Sequence, residues 1–237
     1  MHEQLAEHAS NVCVAYRVLG ICALLQEADV EGFAGLLCRA GQARLQLLTL
    51  TTSGTQRVTP ESLPGSDNVG FSDALASGDV ATARAIARLS ASHHLEGVEY
   101  EEDFLFSHFL HRMMLEPRDT EGLHRVLARW AQVLQGGVDP RLDACLALLE
   151  KNAVGFHRAF ETLIIERKQQ FREYRRQLDF DPEVGATTGK IYMDGLALLR
   201  VAELEAVPPP PALEMVPLLA RVPIGTPLPA ADAWRTA

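Results

Sequence analysis

Helical periodicity runs through almost the whole chain and leaves little room for anything else. Apolar residues recur every three or four positions from residue 3 to about residue 206, and alternating strand-like patterns are scarce. The fold class follows: all-α, an irregular array of antiparallel helical hairpins with about nine or ten helices and little or no β-strand. Punctuation marks the ends. Gly78 is a C-terminal stop and Asp79 a cap for a helix over 80–93; Pro117 ends a helix over 100–116. Asp119 or Thr120 starts another that runs to Leu134 and stops at Gly136–Gly137, and Asp139–Pro140 opens a helix to about Glu150. Asn152 begins a long helix ending near Arg176. Asp181–Pro182 marks a turn, and Thr187 or Thr188 is placed to cap 189–206, before the prolines at 208–211. A short helix over 213–220 is expected to close the array.

The N-terminal part, 1–50, reads as two helices. Leu5, Val12, Tyr16, Leu19 and Ala23 line one side of the first, and Val14, Val18, Ile21 and Leu25 cover the other, so a central helix buried on most faces is expected. The second spans 30–50, with a break expected near Gly41. Residues 51–68, TTSGTQRVTPESLPGSDN, form a polar loop. Helical hairpins follow over 69–222, making 1–222 one domain, and 223–237 is a proline-rich tail. ALASGDVATARAIARL (74–89) echoes ALLEKNAVGFHRAF (147–160), but the hairpins keep no constant spacing, so no regular solenoid is expected.

Charge narrows the partners. With 22 basic against 31 acidic residues the formal net charge is −9. That balance disfavours phosphate neutralisation and anionic membranes, so neither nucleic acid nor membrane is an expected partner. The four cysteines, at 13, 22, 38 and 145, make no CxxC pair and no zinc-ligand spacing; each lies in an apolar stretch and reads as a buried thiol of a cytoplasmic protein. The apolar run from Val12 to Leu25 follows acidic rather than basic residues and is interrupted by Arg17, unlike a signal peptide.

Motifs for catalysis are scarce. Gly185–Lys190 has three residues between its glycines, where a phosphate loop needs four, and Ile191 stands in place of the Ser or Thr. No cofactor is expected. His108 and His111, three apart on one helix, could serve a metal with a nearby carboxylate, with His93 and His94 just upstream; packing on Phe104, Leu105, Phe109 and Met113 is the favoured account of them. The basic group Arg167, Lys168, Arg172, Arg175 and Arg176 suits a helix C-terminus.

An acidic run is the more informative surface. No Lys or Arg occurs between Arg88 and Arg112, while Glu96, Glu99, Glu101, Glu102 and Asp103 fall within eight residues. The helix dipole explains carboxylates at 101–103, at about 0.3–1 kcal/mol each, but not Glu96 and Glu99. Asp179, Asp181 and Glu183 make a second cluster. A solvated face and a patch for a basic partner both fit, and these eight residues are the candidate partner-binding set.

The order of segments FSDALASGDVATARAIARLS, YEEDFLFSHFLHRMM, KNAVGFHRAFETLIIERKQQF, IYMDGLALLRVAEL and PALEMVPLLARVP, across most of 65–222, resembles the immunity protein 49 family, helical proteins that accompany polymorphic toxins of bacterial secretion systems. The resemblance implies a non-enzymatic protein, monomer or homodimer, that neutralises a cognate toxin with a basic surface, such as a nuclease, by direct contact. Two other functions compete: a helical-repeat adaptor for proteins, and a metal-dependent hydrolase built on His108 and His111.

Overall fold

A computed structural model describes residues 2–55 and 58–235, with side chains from Ala6 onward. Positions 56–57 of the polar loop, 236–237 of the tail and the Leu5 side chain therefore lie outside the described residues. Among these there are ten α-helices: α1 His2–Glu27, α2 Val30–Thr52, α3 Phe71–Ser77, α4 Val80–Leu89, α5 Glu101–Met114, α6 Thr120–Val133, α7 Pro140–Leu149, α8 Ala153–Tyr174, α9 Pro182–Ala186 and α10 Met193–Leu204. One isolated bridge, Leu213 with Val216, is the only β-type pairing among the described residues. The chain is an all-α array of hairpins, as its periodicity predicts.

The caps act as their chemistry requires. Asp79 accepts from the Thr82 N–H at 3.0 Å, Asp119 from Gly122 at 2.8 Å, Asp139 from Arg141 at 2.9 Å and Asn152 from Gly155 at 2.9 Å. Each satisfies an N–H with no intrahelical acceptor, at about 1 kcal/mol apiece.

At the centre lies the shortest of the core helices. All seven residues of α3 are buried, against α2, α4 and α10. Its polar groups are all engaged: Asp73 takes a two-pronged bond from Arg17 at 2.7 and 3.0 Å and the Gly70 N–H at 2.8 Å, and Ser72 donates to Asp194 at 2.6 Å. Arg200 of α10 donates its Nε to the Leu75 carbonyl at 3.1 Å and reaches the Val222 carbonyl with the other end of its guanidinium. Phe71 of α3 joins Trp130, Phe33, Phe109, Phe156 and Phe160 as fully buried members of one core, each worth about 1.5–3 kcal/mol of apolar burial.

Several expectations change. First, α1 is peripheral. It lies along α2 through Ala6, Cys13, Gly20, Ile21 and Leu24, whereas Val12, Val14, Leu19 and Leu25 are 39–54% exposed. Small residues spaced by seven, Ala6, Cys13 and Gly20, make much of the packed stripe, because they allow two backbones to approach closely; Ile21 and Leu24 complete it near the C-terminal end. By length and composition α1 would also suit a membrane span, though Arg17 inside that window is bonded to Asp73 in the core.

Second, α2 does not break at Gly41. A Cβ there would come within 2.8 Å of the Ala74 Cβ and 3.2 Å of the Gly70 carbonyl, so the glycine sets the closeness of α2 to α3. Third, the stretch after Asp181 is a short helix rather than a turn. Thr187 and Thr188 bond back to the Glu183 and Val184 carbonyls instead of capping α10, which begins only at Met193. Fourth, 213–220 is not a helix. The Tyr192 N–H donates to the Met215 carbonyl, and Arg221 ties down the carbonyls of Pro210, Pro211 and Val216, leaving a 3₁₀ turn at Leu218–Ala220. Finally, the tail returns to the N-terminal hairpin. Gln42 donates to the Ala230 carbonyl at 2.9 Å, Tyr16 to the Trp234 carbonyl at 2.7 Å, and Trp234 packs on Cys13, Ala40 and Ala43.

Candidate functional site

A polar cavity of about 560 Å³ lies between α5, the start of α7, the middle of α8 and the start of α10. The loop before α3 closes one side. It is pinned to α5 and to the turn before it: the Ser66 N–H donates to Glu99 at 2.6 Å, Ser107 reaches the Ser66 carbonyl at 3.3 Å, and Gly65 sits so close to the Phe104 ring that a Cβ would lie 2.6 Å from it. This fastening presents Asn68 to the cavity.

Five carboxylates line the space: Glu102 and Asp103 from α5, Asp139 at the cap of α7, Glu166 from α8 and Asp194 from α10. Two arginines oppose them. Arg141 bonds Asp103 at 2.6 Å and Asp139 at 2.8 Å, and its guanidinium lies 5.5 and 5.7 Å from the ring centroids of Phe106 and Trp130. Burial works against the Arg141 charge, but Asp139 and Asp103 overcome it and hold its pKa above the ordinary arginine value. Arg167 has no carboxylate partner among the described residues and lies over Phe171 and Tyr192, at 4.7 and 5.1 Å. Burial, then the Asp194 charge, push the Tyr192 hydroxyl well above the usual phenol range.

Two wall residues, both largely buried, keep a polar atom without a hydrogen bond. Asn68 and Tyr192 are each 7% exposed. The Asn68 amide oxygen has no hydrogen-bond partner, and the Tyr192 hydroxyl forms no hydrogen bond among the described residues. Leaving the buried Asn68 oxygen so costs about 1–3 kcal/mol.

The eight candidate residues fare differently. Glu102 and Asp103 line the cavity. Glu99 is absorbed into the loop, accepting from Ser66 and from the Leu95 N–H at 3.0 Å. Glu101 makes a two-pronged pair with Arg129 at 2.7 and 2.9 Å, which lowers its pKa. Glu96 is exposed and unpaired among the described residues. In the second cluster Asp179 and Glu183 are exposed, while Asp181 caps α9 through the Glu183 N–H at 2.8 Å; none of the three lines the cavity. Asp139, Glu166 and Asp194 escaped the sequence argument. Asp139 was legible only as a cap, and nothing local distinguishes the other two.

The histidine pair packs rather than opens to solvent. His111, 3% exposed, meets the Phe71 ring edge-on at 4.3 Å, and His108 stacks on Phe104 at 5.1 Å. Burial first, with Arg112 and His93 adding, pushes His108 down to about 4; burial, His108 and Arg44 push His111 down to about 3. Among the described residues no three His, Cys, Asp or Glu side chains cluster as a metal site would need. Cys13, Cys38 and Cys145 are buried and Cys22 half-buried, all as free thiols, with burial raising Cys13 and Cys38 to about 12. No protein-family model matches the chain, and neither a curated protein nor a solved structure does.

Proposed function

We propose that this is an immunity protein, which binds a cognate bacterial toxin in the cytoplasm and neutralises it by direct contact without catalysing a reaction. The observation that carries this reading is the convergence of five carboxylates, from four separate elements, on one open polar cavity. An acidic opening complements a basic cleft such as a nuclease uses to hold phosphates. Its field would steer association and reject acidic partners. Glu102 and Glu166 at the cavity, and exposed Glu96 near by in sequence, have no partner within the described residues, so their charge is available to another protein. Glu99 and Glu101 serve the fold, and their replacement would test stability rather than binding.

The test is growth of a bacterium expressing the toxin gene adjacent to this one, alone and with the protein. Wild type should restore growth and co-purify with the toxin at fixed stoichiometry. The E96K/E102K/E166K variant should associate about tenfold to a thousandfold more slowly at low salt and lose most of its salt dependence. A harmless neighbour, or association unchanged by the triple reversal, would count against the reading.

A further inference from the structure

The cavity has a surplus of acceptors. Arg141 occupies Asp103 and Asp139, and Ser72 takes one oxygen of Asp194. Glu102 and Glu166 have no partner among the described residues, and the second oxygen of Asp194 is equally free. The buried Asn68 oxygen and the Tyr192 hydroxyl add two more positions that can accept a hydrogen bond. On the donor side Arg167 alone is unpaired among the cavity's cations, and it is already stacked on aromatic rings. An entering anion would meet three carboxylates with one arginine to receive it. An entering cation with several N–H groups would satisfy the acceptors that the fold leaves unbonded, which outnumber the one buried unbonded donor, Arg167 Nε.

We infer that this cavity is a binding site for one alkyl-linked guanidinium or primary ammonium group, held by Asp194, Glu102, Asn68 and Tyr192. A volume of about 560 Å³ lies within the range of ligand pockets, about 300–1,000 Å³, so part of the carrier enters with the cation. Two carriers share that chemistry: a small free amine or guanidine, and an arginine or lysine side chain of a partner protein. Naming the toxin as that partner rests on the proposed function; the cation site itself does not.

Calorimetric titration of the full chain tests it with three probes: agmatine, a short blocked peptide containing one arginine, and the same peptide with citrulline. Wild type should bind agmatine or the arginine peptide at one site and ignore citrulline. Y192F, which keeps the ring, and E102Q, which touches no internal bond, should each weaken that binding about tenfold, as losing one hydrogen bond to a charged group does. Thermal melting of each variant verifies that it is folded, and E102Q carries the test if Y192F is not. Agmatine binding identifies a free cation as sufficient; binding of the peptide alone points to a partner side chain. No binding of either at millimolar concentration, equal binding of citrulline, or wild-type affinity in both variants overturns the inference. Growth rescue reports separately: cation binding without rescue would refute the toxin reading and leave the site standing.

Discussion

Acid should destabilise this protein through one histidine. His111 sits in α5 at 3% exposure with its Nε2 unbonded, and it remains neutral down to about pH 3. The unfolded chain takes up the same proton near the ordinary histidine value of about 6.5. Between those limits the unfolded state binds more protons, so stability is full above pH 6.5 and falls as pH drops toward 3. At pH 5 the distance from 6.5, at about 1.36 kcal/mol per pH unit, amounts to about 2 kcal/mol. His108 acts in the same direction, discounted for its contact with solvent. Urea unfolding of wild type and H111L at pH 8 and pH 5 isolates the contribution, because other titrating groups cancel in the difference. Wild type should lose about 2 kcal/mol more than H111L between the two conditions, and H111N provides the comparison if leucine does not fit. Equal losses would refute the argument, as would an NMR titration in which the His111 ring protonates near 6.5.

Two further outcomes follow from the packing. R17M leaves the fully buried Asp73 carboxylate without its guanidinium, and urea unfolding should show a loss of about 3–5 kcal/mol; a loss below about 1 kcal/mol would mean that the pair is better solvated than its burial indicates. W234A removes the indole packed against the cluster that holds the fully buried Cys13, so maleimide should label Cys13 about tenfold faster through easier local opening. Cys145, buried in α7, should keep its rate; equal acceleration of both thiols would indicate global loosening.

How much of this was legible beforehand depended on the range of the forces involved. Asp79, Asp119, Asp139 and Asn152 bond N–H groups two or three residues away, so a local pattern sufficed to place helix starts. The burial of α1 was misjudged because its apolar residues run all round, and the packed stripe uses alanine, cysteine and glycine, which hydropathy undervalues. The site was the least legible part. Glu101 finds Arg129 at a separation of 28 residues and Asp103 finds Arg141 at 38, so a run that looks unpaired along the chain is partly neutralised in space. Glu166 and Asp194 reach the same cavity from α8 and α10, a convergence set by hairpin packing alone.

The placement of α3 has a consequence for how the chain is made. Its seven residues are enclosed by α2, synthesised before it, and by α10, synthesised long after. Ser72 meets Asp194 across 122 residues, and Arg200 meets the Leu75 carbonyl across 125. During translation α3 must wait through six intervening helices with one apolar flank open, a situation that slows folding and invites chaperones. Asp194 and Tyr192, on the far wall of the cavity, arrive on the same late segment. The binding site therefore comes into being only when α10 closes over the centre, so unfinished chains would be inactive rather than partly active.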